Sequence, residues 1–306
     1  MYAKKLRSAI AVVLLVTCGA MSGCGDSAVS PKSQVLRFSV IPDWNKGKLA
    51  ADSRNLAKLL TEKLGVEVRY EQTNSYLACV NALAANKIDF AWLGGKTTCD
   101  AIDECKGSAH VIATRDIDLM FKSYFIGNRD SIAAGKLMPV DDLMKWQGKT
   151  KSVRFTFGSR GSTSGHLMPR YFLSEAGIDP EDSFQSVGYA EGSHAGTLQS
   201  VASGAVDCGA LNYAYYDAAS AEDKAKAPIL FTTSDYVDYA WVAHDRIGED
   251  RLQTLREVLL GLDRKEPSQA SILDAWSAGR FVAAKDDMWD SIRQVRDALP
   301  KDFLTK

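Results

Sequence analysis

The stretch Gly158-Ser159-Arg160-Gly161-Ser162-Thr163-Ser164-Gly165-His166-Leu167-Met168-Pro169 sets three consecutive hydroxyls between glycines. Hydroxyls donate hydrogen bonds without adding fixed charge, and glycine lets backbone or ligand approach closely. A β-branched and aromatic run at residues 153–157 precedes the stretch, and Tyr171, Phe172, Leu173 and Ala176 follow it. The pattern therefore reads as strand, loosened turn, then helix. The first turn of a helix leaves N–H groups unpaired and carries the positive end of the macrodipole, so the chemistry on offer is reversible binding of an oxyanion. One hydroxyl suffices for an N-cap; three in a row exceed that need.

Catalytic alternatives fit less well. The Gly161 to Gly165 run imitates a nucleophile elbow but carries Thr163 where a serine hydrolase needs Ser, so the G-x-S-x-G pattern is not met. The histidines His110, His166, His194 and His244 show no metal spacing, and no Walker-type phosphate loop is present. The expectation is a binding protein rather than an enzyme, without cofactor or metal.

The chain of 306 residues, 46% apolar, is long enough for two domains. Lys4, Lys5 and Arg7 precede an apolar run at 9–16, too short to span a bilayer, and Met21-Ser22-Gly23-Cys24 closes the segment. Residues 1–23 read as a secretory signal of lipoprotein type, with Cys24 the lipidated first residue and Cys18 a poorer acceptor. Acyl chains at Cys24 would hold the protein at a membrane surface of the cell envelope, and residues 24–34, rich in Ser, Gly, Asp and Pro, would form a tether. The three basic residues leave with the signal, so 37 basic residues become 34 against 38 acidic. A mildly acidic chain argues against a nucleic-acid partner, and local dipoles and hydrogen bonds must do the work of binding an anion.

Downstream, strands and helices alternate. Strands are expected at 35–41, 66–70, 88–93, 110–113, 123–127, 153–157, 184–189, 206–211, 229–232 and 239–243, with helices at 54–64, 76–85, 97–105, 194–203 and 214–224. The remainder, 252–262 and 272–299, reads as helical. Alternation implies α/β architecture with mainly parallel sheets flanked by helices and ligands beyond the carboxyl ends of the strands. Asp43-Trp44, Asn74-Ser75-Tyr76 and residues 94–99 fall at such ends. Two successive α/β units followed by a helical tail suggest two lobes with a cleft between them.

Several of these pieces resemble the phosphate, phosphite and phosphonate type of periplasmic solute-binding proteins, whose relatives include sequences assigned to selenate and arsenite. They are Ile41-Pro42-Asp43, Leu64-Gly65-Val66-Glu67-Val68, Tyr76, the run from Lys87 through Trp92 to Gly95, Ser162-Thr163-Ser164-Gly165 with Pro169, Gly192-Ser193-His194, and Gly204-Ala205-Val206-Asp207. The resemblance implies a type II-like two-lobed periplasmic binding protein fold, monomeric, delivering a small oxyanion to the permease of an ABC importer. Lobe 1 would comprise 35–120 and 244–306, and lobe 2 would comprise 121–243. By analogy Ser162, Thr163 and Ser164 hold the anion with His194, while Tyr76 and the turn reaching Thr98 approach from the first lobe. Leu93 stands where many members have Tyr. Asn212 opens a run where members that bind amino-alkyl phosphonates carry an acid, which disfavours an amine-bearing ligand. An arsenite- or oxyanion-binding sensor signalling to a membrane histidine kinase is the alternative reading.

His166 is expected on the exposed surface, and Asp207 as a structural acid at a strand end. Cys208 reads as a buried strand residue. Cys99 and Cys105 lie too far apart on one helix for a bridge, at ~1.5 Å rise per residue. Cys99 is expected to begin a helix facing the cleft, where its thiol pKa would fall and Cys79 could join it on a thiophilic ligand. The plainer expectation is packing, with a Cys79 disulfide to Cys99 or Cys105.

Overall fold

In this computed structural model the described residues are 35–43, 46–190, 193–300 and 303. The signal, Cys24, the tether, Trp44 and Gly192 lie outside them. The apolar runs of the sequence become strands β1 Leu36–Val40, β2 Val68–Tyr70, β3 Phe90–Leu93, β4 Ala109–Arg115, β5 Ser123–Gly127, β6 Arg154–Phe157, β7 Ser186–Tyr189, β8 Cys208–Asn212, β9 Ile229–Thr232, β10 Ala240–His244 and β11 Phe281–Val282. They form two mixed sheets, ordered β11-β4-β10-β3-β1-β2 and β7-β6-β8-β5-β9.

The two sheets repeat one plan. In the first, β1 runs parallel to β2 and β3, while β10 is antiparallel to β3 and β4. In the second, β6 runs parallel to β7 and β8, while β5 is antiparallel to β8 and β9. Each antiparallel strand follows a chain crossing, so each sheet is keyed by a strand that arrives from the other side. Buried on both faces, the central strands are largely apolar, and β3 is wholly so, as expected of strands under two helical layers. Phe38 and Phe90 stack with centroids 5.0 Å apart in the first core, and Phe155 and Phe184 stack at 4.7 Å in the second.

The helices that matter most for the site are α1 Lys46–Leu64, α2 Tyr76–Ala84 and α3 Gly95–Glu104. Helix α1 begins before the expected residue 54, since Leu49, Ala50 and Ala51 extend it ahead of the leucine stripe at 56–64. The tail is not helical throughout 272–299: β11 pairs Phe281 with Arg115 and Val282 with Thr114, occupying the open edge of β4.

The chain leaves the first sheet through residues 116–122 and returns through 233–239. At the crossing the two segments bond to each other, Phe121 N–H to Tyr236 C=O and Tyr236 N–H to Phe121 C=O, both at 2.8 Å. The return thus comes earlier than the expected 243–244, since Ala240–His244 already belongs to the first sheet. A period-2 apolar pattern marks a strand but not the sheet it joins.

Candidate functional site

The hydroxyl loop follows β6 and enters a five-residue π-turn, Thr163–Leu167, which runs into the helix Met168–Glu175. Ser162 is its N-cap, and its Oγ accepts the Gly165 N–H at 3.0 Å. Gly158 N–H donates to Gly165 C=O at 2.7 Å, and a Cβ on Gly158 would stand 3.1 Å from the Gly165 Cα. The glycines flanking the loop are therefore a packing requirement. The helix expected after the strand is present, but its opening turn is wider than an α-turn.

Ser162, Thr163 and Ser164 are all buried, and each meets a group from outside the second sheet's own helices. Thr163 Oγ1 accepts the Lys96 N–H from the first turn of α3 at 3.0 Å. The Ser162 hydroxyl faces the Tyr76 hydroxyl, and a Cβ on Gly161 would stand only 2.5 Å from the Tyr76 Cβ. The Ser164 hydroxyl faces that of Tyr236, whose OH lies 2.6 Å from Ser123 Oγ. Thr98, also in the first turn of α3, is buried with its hydroxyl unpartnered. The nearby cations are already spoken for: Lys96 Nζ lies 2.7 Å from Asp100, and the Arg115 guanidinium binds both oxygens of Asp118 at 2.7 Å.

His194 supplies a donor whose proton can be located. Its Nδ1 accepts the Asn212 N–H at 3.4 Å, so in the neutral ring the proton must sit on Nε2. That Nε2 is buried and has no partner, while the ring's Cε1 lies 3.4 Å from where a Gly165 Cβ would stand. Burial pushes the pKa of His194 down to about 3, so the ring is a neutral donor throughout the physiological range. Asn212 is held from both ends: Oδ1 caps Tyr215 N–H, and Nδ2 donates to the Tyr239 hydroxyl across the crossing at 3.1 Å.

Two buried acids flank this cluster: Asp43, which the sequence places at a ligand-facing strand end, and Asp238, which it does not single out. Asp238 Oδ1 accepts the Gly95 N–H at 2.8 Å, whereas Oδ2 is buried without a partner. Burial raises Asp238 to about 7, against the pull of the Gly95 N–H. Asp43, at the end of β1, is also raised to about 7 by burial; the Tyr239 hydroxyl faces it without closing to hydrogen-bonding distance. Tyr239 itself stacks on Trp92 at 5.6 Å. The signal that could have found this group is the run Tyr236-Val237-Asp238-Tyr239, which sets an acid among aromatics just before a strand.

Cys99 does not join the site. A helix turns about 100° per residue, so its neighbour Thr98 and Cys99 cannot face the same way. Its Sγ lies 3.7 Å from the Trp289 carbonyl, and burial pushes the thiol up to about 12 rather than down. Cys79 is likewise buried and pushed up to about 11, and Cys79, Cys99, Cys105 and Cys208 are all free, so the expected Cys79 disulfide is absent. His166, expected on the surface, is fully buried because the π-turn rolls it under the loop. Asp207 lies at the far end of β8, bound by Arg154 and Ser131.

Residues 38–289 match the family described as ABC transporter, phosphonate, periplasmic substrate-binding protein. The chain belongs to this family. Among its relatives is the probable ABC transporter phosphite binding protein PhnD1 of Prochlorococcus marinus (strain MIT 9301), 35% identical over 94% of this chain and 97% of that one. The crystal structure of that PhnD1 with methylphosphonate superposes with a TM-score of 0.79, covering 86% of this chain and 97% of the other. The phosphonates-binding periplasmic protein of Escherichia coli (strain K12) is 28% identical over 46% of this chain and 40% of its own length. A binding protein component of an ABC phosphonate transporter from Pseudomonas aeruginosa, at 21% identity over 86% of each chain and a TM-score of 0.73, shares the fold. This binding protein is thus the extracytoplasmic substrate-binding component of an ABC importer, two-lobed, and it carries its solute rather than transforming it.

Proposed function

We propose that this binding protein captures a small tetrahedral oxyanion of the phosphite and methylphosphonate kind between its two lobes. Ser162, Thr163, Ser164 and His194 hold it from one side, Tyr76 and Thr98 from the other, and Asn212 with Tyr239 closes the wall. The observation that carries the reading is the His194 Nε2–H, a buried donor without a partner beside the hydroxyl loop. A buried unmade hydrogen bond costs roughly 1–3 kcal/mol, which an anionic oxygen would recover. The free Oδ2 of Asp238 suits a ligand oxygen that keeps its proton, and so favours singly protonated anions over fully ionised ones.

Phosphate and selenate share the tetrahedral shape and belong to the same class. The arsenite reading loses its motive, because the Cys99 thiol points at Trp289. Anchoring through a lipidated Cys24 completes the proposal: the mature chain works at the membrane surface as a monomer beside its permease.

Thermal-shift and calorimetric titration of the mature chain with phosphite, methylphosphonate, phosphate, sulfate, selenate and arsenite tests the reading. Phosphite or methylphosphonate should raise the melting temperature, by about 2.7 kcal/mol of stabilisation at a hundred times Kd. Replacing Ser162, Thr163 and Ser164 together by alanine should abolish the shift. Undiminished affinity in that variant would refute the site.

A further inference from the structure

His166 lies in the π-turn immediately after Gly165, fully buried, with both ring nitrogens engaged. Arg170 Nε donates to its Nε2 at 3.1 Å, so that nitrogen carries no proton. The proton therefore sits on Nδ1, which donates to the Arg160 carbonyl at 3.0 Å. Arg170 is held in turn by Glu181, 2.8 Å from each oxygen, and donates to the Tyr189 hydroxyl at 2.9 Å. Its guanidinium stacks between the rings of Phe157 at 4.6 Å and Phe303 at 4.2 Å.

We propose that His166 is a positioning residue for the anion loop: held in one tautomer by Arg170, it pins the Arg160 carbonyl and so aims the hydroxyls of Ser162, Thr163 and Ser164. This deepens the functional reading above and rests on it. A loop with Gly158, Gly161 and Gly165 has little rigidity of its own, and ordering it on binding would cost affinity. A neutral imidazole resolves this, because it accepts from a permanently charged arginine on one edge and donates to a carbonyl on the other. The groups facing the ring are Arg160, Arg170 and Lys96, with the rings of Phe157 and Tyr189. All three charges are positive and oppose protonation, adding to the burial that pushes His166 down to about 3. The support also reaches past the loop: Arg160 donates to the Phe303 carbonyl at 3.3 Å and lies 3.5 Å over the Tyr189 ring.

The test compares His166→Asn, which keeps an amide donor near the Nδ1 position, with His166→Ala, which keeps none. Affinity for phosphite and methylphosphonate is measured calorimetrically, together with the melting temperature of the ligand-free protein. His166→Asn should bind within about threefold of the parent, and His166→Ala should lose about tenfold, one hydrogen bond's worth of preorganisation. Equal losses in both variants, tracking equal losses of stability, would reduce His166 to packing and overturn the proposal.

Nitrogen NMR of the ligand-free parent should show His166 as a single Nδ1–H tautomer from about pH 5 to pH 8, and Arg170→Gln should produce a mixture with weaker binding. An Arg170→Gln protein with an unchanged tautomer and unchanged affinity would also overturn it. Should the parent bind neither anion, the functional reading fails and this proposal falls with it. That outcome is distinct, because the tautomer of the ligand-free protein is read without any anion.

Discussion

At the scale of single residues, the proposed site offers neutral donors and acids poised near neutrality. His194 is the sharpest case: its only free nitrogen must carry the proton, and it meets no protein acceptor. His194→Ala should weaken phosphite binding about tenfold, the contribution of one hydrogen bond, with calorimetry as the check. Asp238 tunes the same site by charge. As pH rises through about 7 its carboxyl ionises and can face only a ligand oxygen that keeps its proton, while the ligand is losing that proton, so parent affinity should fall across that range. Asp238→Asn keeps an acceptor for the Gly95 N–H but has no charge to develop, so its affinity relative to the parent should rise steadily from about pH 6 to pH 8. A constant ratio across that range would remove Asp238 from the site.

At the scale of elements, two contacts decide whether the loop and its sheet hold their shape. Gly161 admits Tyr76 against the backbone, and a methyl group there would stand 2.5 Å from the Tyr76 Cβ. Gly161→Ala should therefore leave each sheet intact but hold the lobes apart. Overpacking of this kind costs about 1–3 kcal/mol, so affinity should drop about tenfold or more while the ligand-free melting temperature barely moves. The other contact anchors β6 to β8. Burial opposes ionisation of Asp207, but hydrogen bonds from Arg154, Ser131 and Lys136 outweigh it and hold the carboxyl well below its usual range. A carboxyl depressed in the folded state contributes stability above its unfolded value of about 3.9, and loses that contribution as pH falls further. Asp207→Asn should lower the melting temperature at pH 7, with the gap to the parent starting to narrow below about pH 4 and closing only as the folded carboxyl itself takes a proton at still lower pH. A gap that stayed the same from pH 7 down to about pH 2 would mean that the amide disrupts packing rather than charge.

At the scale of the whole molecule, the two sheets are joined by crossings that bond to each other at Phe121 and Tyr236, and the site lies beside them. Asp238 and Tyr239 belong to the returning segment, so the crossing and the proposed binding wall share residues. In the proposed reading, binding and lobe approach would be coupled through the same few bonds, Gly95 to Asp238 and Asn212 to Tyr239. Such coupling suits a carrier that must present its loaded state to a permease. The anchor is tested at this scale as well: Cys24→Ala should shift the mature protein from the membrane to the soluble fraction, with ligand affinity unaltered, since acyl chains act only on localisation.

Much of this was legible from residue order, for local reasons. Apolar periodicity and glycine punctuation report neighbours a few positions apart, so the alternation of strands and helices and the hydroxyl loop at 162–164 could be read directly. What depended on distant segments could not be read this way. Gly95 and Asp238 meet across 143 positions, Cys99 turns to Trp289 across 190, and neither approach leaves a local trace. The burial of His166, the sheet that β10 joins and the acidity of the wall are consequences of packing. Local pattern decides which groups a chain can offer; only the folded arrangement decides which of them face one another, and with what charge.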